Sequence, residues 1–204
     1  MQLYDYYRSS AAYRVRIALN LKGIDWQAVP VDLLHSEQTG EAYREINPQA
    51  LVPALALDDG QVLTQSGAIL EWLEETYPRP ALLPERARDR ARVRAMVNTI
   101  CCDIHPLNNL RVLKYITGEL GANEEQKMLW YHHWLALGFA ALESQVTAAE
   151  YCFGNEVSLA DVCLVPQMYN ARRFELDLAP YPRLVAICSN LQSLPAFAAA
   201  APEA

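Results

Sequence analysis

The segment Tyr77-Pro78-Arg79-Pro80-Ala81-Leu82-Leu83-Pro84 sets the tightest limit on how this chain can fold. Three prolines within seven residues remove backbone donors and hold the preceding residues extended, so neither a helix nor a central strand runs through it. The chain must organise itself on either side, and the two sides read differently. Upstream, residues 2–6 read as a strand and residues 12–21 as a helix with Val15, Ala18 and Leu19 on one face. Lys22-Gly23 ends that helix with a cation in the last turn and glycine at the cap. Residues 26–31 read as a second strand and residues 41–46 as a short helix closed by Asn47-Pro48. Residues 54–57 and 61–63 form a hairpin around Asp58-Asp59-Gly60, and residues 66–77 form a helix with Ile69, Leu70, Leu73 and Tyr77 at helical spacing.

The order β-α-β-α-β-β-α describes a small mixed sheet with helices on both faces, a thioredoxin-like domain over residues 1–80. Downstream of a linker at 78–85 the signals are helical: 86–97, 104–113, 124–145, 158–170 and 182–191. Ser158 with Asp161 spells a capping box, with Val157 and Val162 as its hydrophobic staple. Residues 86–204 therefore read as an all-α bundle, and residues 198–202 as a fraying end.

Composition narrows the function classes. Seventeen Lys and Arg against 24 Asp and Glu give a net charge of −7, which argues against non-specific nucleic-acid binding. An anionic ligand would need a local cationic pocket on this acidic background. The run Arg86, Arg88, Arg90, Arg92, Arg94 spreads its charge around a helix and reads as solvated surface. No apolar run reaches the roughly 18 residues of a membrane span, and the opening Met1-Gln2-Leu3-Tyr4-Asp5 lacks signal-peptide character. Cys101, Cys102, Cys152, Cys163 and Cys188 form no C-x-x-C pair and no metal-binding spacing. We expect reduced, mostly buried thiols, a cytoplasmic location, no metal and no membrane partner.

The chemistry concentrates at three places. A redox enzyme of thioredoxin-like fold would carry C-x-x-C after its first strand, and this chain has Arg8-Ser9-Ser10-Ala11 there. Dithiol chemistry is excluded. Hydroxyls at a helix N-terminus can still stabilise an anion, including the thiolate of a bound thiol, although serines before a helix also serve as plain N-caps. Leu51-Val52-Pro53-Ala54 puts proline at the opening of a strand, where a cis Val52–Pro53 bond would expose the Val52 main chain to an extended peptide. Thr64-Gln65-Ser66-Gly67 starts a helix, and Ser66 can either cap it or hold a carboxylate. A thiol anchor, a strand partner and a carboxylate anchor together describe glutathione.

The chain resembles the glutathione transferases over nearly its whole length. Residues 7–19, reading Tyr7-Arg8-Ser9-Ser10-Ala11-Ala12-Tyr13-Arg14-Val15-Arg16-Ile17-Ala18-Leu19, are similar to the zeta-class signature. Residues 157–167 are similar to that class's late helix, and residues 103–113 resemble the substrate-side helix of its bacterial isomerases. The resemblance implies Ser9, with Ser10 and Arg8, as catalytic residues. It implies Ser9, Ser10, Gln38, Val52, Gln65, Ser66 and Asn109 as glutathione contacts. Arg8, His105, Arg111 and Arg173 are implied as substrate contacts, with His105 and Asn109 expected on one helix face. One departure stands out: Ala11-Ala12 replaces the signature's Cys-Ser. The implied activity is glutathione-dependent cis–trans isomerisation of a small diketo acid, maleylacetoacetate or maleylpyruvate, by a homodimer in aromatic catabolism. The alternatives are a transferase conjugating electrophiles or α-halo acids, and a non-catalytic glutathione-fold binding protein.

Overall fold

Four short strands, β1 (Gln2–Asp5), β2 (Gln27–Pro30), β3 (Ala54–Ala56) and β4 (Val62–Thr64), form one sheet in the order β2-β1-β3-β4 in a computed structural model that describes residues 1–146 and 150–202. Tyr4 of β1 stands opposite Val29 in the parallel pair with β2 and opposite Ala54 in the antiparallel pair with β3. A parallel pair needs a crossover, and here it is helix α1 (Ser10–Lys22). After β2 come α2 (Glu41–Ile46) and, beyond the hairpin, α3 (Ser66–Thr76), which packs on α1. This is the thioredoxin-like order expected from the sequence. Gly60 takes φ 87° in the hairpin, a value that favours glycine.

α1 is buried almost all round, because it lies between the sheet, α3 and a C-terminal helix. Gly23 closes it at φ 64°, donating to Asn20 O and Leu19 O. Lys22 in the last turn is buried, and its Nζ lies 2.6 Å from both Glu74 Oε2 and Pro80 O. The same Glu74 oxygen accepts from the Leu82 N–H. The proline-rich segment up to Leu82 is thus fastened to α1 and α3 by a charged, hydrogen-bonded network.

The chain separates into two compact units, Met1–Leu82 with the segment from Ser193, and Leu83–Gln192. The second unit holds α4 (Ala87–Asn98), α5 (Leu110–Gly118), α6 (Glu124–Gln145), α7 (Leu159–Arg173) and α8 (Pro182–Gln192). Ser158 and Asp161 make the expected capping box at α7, and Asp161 also accepts from the Cys152 N–H. Gly138 lets α6 approach a wide helical turn at Thr99–Ile104, since a Cβ there would meet the Ile104 side chain at 2.2 Å.

Two expectations need correction. The helix expected over residues 104–113 is broken: the wide turn ends at Ile104, residues 105–108 form a turn, and α5 starts only at Leu110. Pro106 has no N–H to carry the helix onward, and Asn109 caps the new one through Oδ1, 3.0 Å from the Arg111 N–H. The tail does not fray. It forms α9 (Pro195–Ala200), which packs on α1 with Phe197 fully buried. The thiols are mostly buried, as expected: Cys152, Cys163 and Cys188 are buried, Cys101 is half-buried and Cys102 is exposed, and none is in a disulfide.

One side chain joins these parts of the first unit. Arg16 Nη1 lies 2.7 Å from both oxygens of Asp5 at the end of β1. Its Nε donates to Ala200 O of α9, and its Nη2 donates to Tyr7 O. Burial pushes the Asp5 carboxyl above its usual range while the Arg16 guanidinium pulls it back. Arg16→Leu should therefore destabilise the protein by about 3–5 kcal/mol at neutral pH, the cost of leaving a buried charge alone. Without Arg16 the folded-state pKa of Asp5 rises further above its unfolded value. The folded variant then gains protons that the unfolded chain lacks, and its deficit against wild type should shrink as the pH falls through that raised value. Urea unfolding at neutral and mildly acidic pH measures both effects.

Candidate active site

The turn after β1 is built to present one hydroxyl. Ser9 N–H donates to Tyr6 O at 2.8 Å, which closes the turn. Ser9 takes φ −70°, ψ 115° as the N-cap of α1, and its Oγ accepts from the Ala12 N–H at 3.2 Å. A hydroxyl that accepts from its own helix keeps its hydrogen to donate elsewhere. No acidic residue stands in the first turn of α1, so the positive end of the helix is not neutralised locally. Ser10, the first helical residue, is buried, and Ser9 is the half-exposed member of the pair. Arg8 is exposed with its guanidinium 4.9 Å from the centre of the Tyr7 ring.

A second corner forms where β4 meets α3. Gln65 stands at φ 68°, ψ 113°, and its side chain does not cap the helix. Its Nε2 donates instead to Gln49 Oε1 at 2.7 Å. Ser66 opens α3, is buried, and accepts at Oγ from Arg14 Nη1 at 3.3 Å. Again no acidic residue occupies the first turn. This end of α3 therefore offers unpaired backbone donors, a hydroxyl and a positive dipole, the features of an anion site.

The third element is the segment before β3. The Val52–Pro53 bond is cis, and the ladder begins only at Ala54. Leu51 O is held by Tyr43 OH and Asn47 Nδ2, each at 2.7 Å. Burial, its largest influence, raises the Tyr43 hydroxyl to about 12, so it remains a donor throughout the neutral range. Val52, half-buried, follows directly on this pinned carbonyl. Gln38 lies in the single helical turn Glu37–Thr39, its Oε1 buried without a partner among the described residues.

The second unit holds the other expected residues. Asn109 is the N-cap of α5, and Arg111 in the first turn of that helix is exposed with no carboxylate partner among the described residues. His105 lies in the turn after Ile104, so His105 and Asn109 share no helix face. Arg173 ends α7, exposed, with its guanidinium 5.1 Å from the centre of the Phe174 ring. Phe174 in turn packs on Tyr131 with ring centres 4.1 Å apart.

Sequence reasoning missed three contributors. Gln49 gave no signal, because its role depends on the fold bringing it to Gln65. Arg14 and Arg16 did give one: two cations inside an otherwise apolar helix predict buried charge that needs a partner.

Residues 3–81 match the family model described as "Glutathione S-transferase, N-terminal domain". A Vibrio cholerae protein named "Probable maleylacetoacetate isomerase" is 52% identical, covering 98% of this chain and 95% of its own length. A solved structure titled as the holo form of maleyl pyruvate isomerase, a bacterial zeta-class glutathione S-transferase, superposes with a TM-score of 0.96 at 47% identity, covering 99% of this chain and 97% of the other. A maleylacetoacetate isomerase from Methylobacterium extorquens AM1, solved with bound malonate and glutathione, gives a TM-score of 0.96 at 40% identity, covering 99% and 96%.

The backbone of Gln65 is strained for a residue with a Cβ. Gln65→Gly should be more stable than Gln65→Ala by about 1 kcal/mol, since both lose the Gln49 contact and only glycine relaxes the backbone. Thermal unfolding of the two variants side by side checks this.

Proposed function

The chain belongs to the glutathione S-transferase family, in its zeta class, and we propose that it is a glutathione-dependent cis–trans isomerase of maleylacetoacetate or maleylpyruvate. The observation that carries the reading is the Ser9 hydroxyl. It caps α1 by accepting from Ala12, keeps its hydrogen for a ligand, and stands at a helix end without acidic residues. The donor set of the first unit fits glutathione: a hydroxyl for the thiol, a pinned chain at Val52 for the cysteinyl backbone, and the Gln65–Ser66 corner for the γ-glutamyl carboxylate. Gln38, with a buried amide oxygen still unpartnered, is the fourth contact in this unit.

When bound, glutathione supplies a thiolate that adds reversibly to the cis double bond and leaves after the bond has turned, so it is not consumed. The chain's own part is electrostatic. Ser9 and the first-turn N–H groups of α1 stabilise negative charge on sulfur, with Ser10 packed beneath as support. Arg8 donates to the negative charge that develops on the substrate's carbonyl oxygen. Arg111 and Arg173 are exposed forks suited to carboxylates, and we assign them, with His105, to the substrate. Asn109 uses Oδ1 for its cap and keeps its amide N–H groups for glutathione. Ala11 and Ala12 provide no side-chain chemistry where the signature has Cys-Ser, so thiolate stabilisation rests on Ser9. We further propose a cytoplasmic homodimer acting in aromatic breakdown, a setting that suits five cysteines outside any disulfide.

Assay of the purified protein on both diketo acids, with and without glutathione, tests the reading. At least one should be isomerised, and only with glutathione present; turnover of neither overturns it. Ser9→Ala at saturating glutathione should lower kcat on the order of 10²-fold, as for loss of one oxyanion donor. A near-wild-type rate would remove Ser9 from the mechanism. Arg111→Gln should lower kcat/KM for the diketo acid by roughly 10-fold or more, while conjugation of a neutral electrophile stays nearly unchanged.

A further inference from the structure

Arg14 leads the fully buried side chains by size among the described residues, at 1% exposure. A guanidinium does not deprotonate in proteins, so a full positive charge is enclosed. Its partners do not balance that charge. Nη1 reaches Ser66 Oγ at 3.3 Å, a long hydrogen bond, while Nε and Nη2 have no partner among the described residues. Among the described residues no carboxylate pairs with it. Arg16, two positions along the same helix, shows the paired alternative, with all three nitrogens engaged and Asp5 as counter-ion. Enclosing a charge without such a partner is expensive.

The position of the charge accounts for it. Ser66 opens α3, whose first turn has no side-chain cap and no acidic residue. A cation behind the positive end of a helix is repulsive by itself, and an anion seated on that end relieves both. We propose that Arg14 is a positioning residue of the γ-glutamyl carboxylate subsite. Its guanidinium engages the Ser66 oxygen as acceptor, leaving the hydroxyl hydrogen for the ligand, and its enclosed charge attracts a carboxylate that it does not touch. The inference rests on the reading of Gln65 and Ser66 as the anchor for that carboxylate.

The test compares two peptides by titration calorimetry. One is glutathione; the other is 4-aminobutanoyl-cysteinyl-glycine, which is glutathione without the γ-glutamyl α-carboxylate. Arg14→Met should weaken glutathione binding roughly 10- to 100-fold, the range for a buried charge a few ångströms from its counter-ion. Binding of the decarboxylated peptide should change less than about two-fold. Equal losses for both peptides assign Arg14 to the fold alone and overturn the proposal, as does an undiminished affinity for glutathione. Equal binding of the two peptides by the wild type sinks the carboxylate reading and this proposal with it. Discrimination by the wild type that survives in Arg14→Met sinks only the proposal. Should Arg14→Met not fold, the side-chain Nε–Hε resonance of Arg14 in the wild type decides the matter. It should move on adding glutathione and stay in place with the decarboxylated peptide; no movement with glutathione overturns the proposal.

Discussion

The Arg16–Asp5 pair is the interaction on which the first unit depends. Asp5 ends β1, and the residues that follow must leave the sheet and start α1 within a few positions. Arg16 reaches back from the middle of α1, holds both Asp5 oxygens, and takes Tyr7 O with another nitrogen. The turn that carries Arg8 and Ser9 is thereby tied at both ends to rigid elements. The remaining nitrogen holds Ala200 O, so the C-terminal helix is fastened to the same guanidinium. Burying this charge is tolerable only because each of its three nitrogens has an acceptor and both oxygens of the Asp5 carboxylate are engaged. Leu or Met at position 16 could fill the space but would leave Asp5, Tyr7 O and Ala200 O without their donors.

The two serines of the site follow one rule. Ser9 Oγ accepts from the Ala12 N–H, and Ser66 Oγ accepts from Arg14. Each hydroxyl has its oxygen engaged from inside the protein and its hydrogen left to give. Each also stands at the start of a helix without acidic residues in its first turn. A serine in such a place acts as a donor to anions, in contrast to a capping serine in a capping box. Ser158 is that contrast within the same chain: its hydroxyl and N–H both meet Asp161, and nothing is left to offer a ligand.

Much of the fold was legible because its signals are local. The proline cluster divided the two halves, strand and helix periods gave the order of elements along the first half, and Gly23 and Ser158 marked helix ends. What failed was set by tertiary context. Residues 104–113 look helical in composition, yet Pro106 interrupts them and Asn109 begins a new helix. The alanine-rich tail reads as frayed, because sequence alone does not reveal that Phe197 has a buried place against α1. In the site, Ser9, Ser66 and the cis Val52–Pro53 bond were accessible from the sequence. Gln49 and the roles of Arg14 and Arg16 were not, because they depend on residues distant in the chain.

Arg8, Arg14 and Arg16 lie within nine residues of an acidic chain of net charge −7. Their sequence neighbours do not distinguish them, and their surroundings do. Arg16 is fully paired and serves the fold, Arg14 is enclosed with a single weak bond, and Arg8 is exposed over a tyrosine ring. The acidic surface discourages anions at long range, though salt screens it within about 10 Å. Near the two helix ends the balance reverses, since dipoles, hydroxyls and guanidinium groups converge there with no carboxylate in either first turn. Selectivity for one anionic ligand then follows from placement. In the site we propose, positive charge is concentrated where a peptide's thiolate and its carboxylate would be held, and it is neutralised by Asp5 where only the fold needs it.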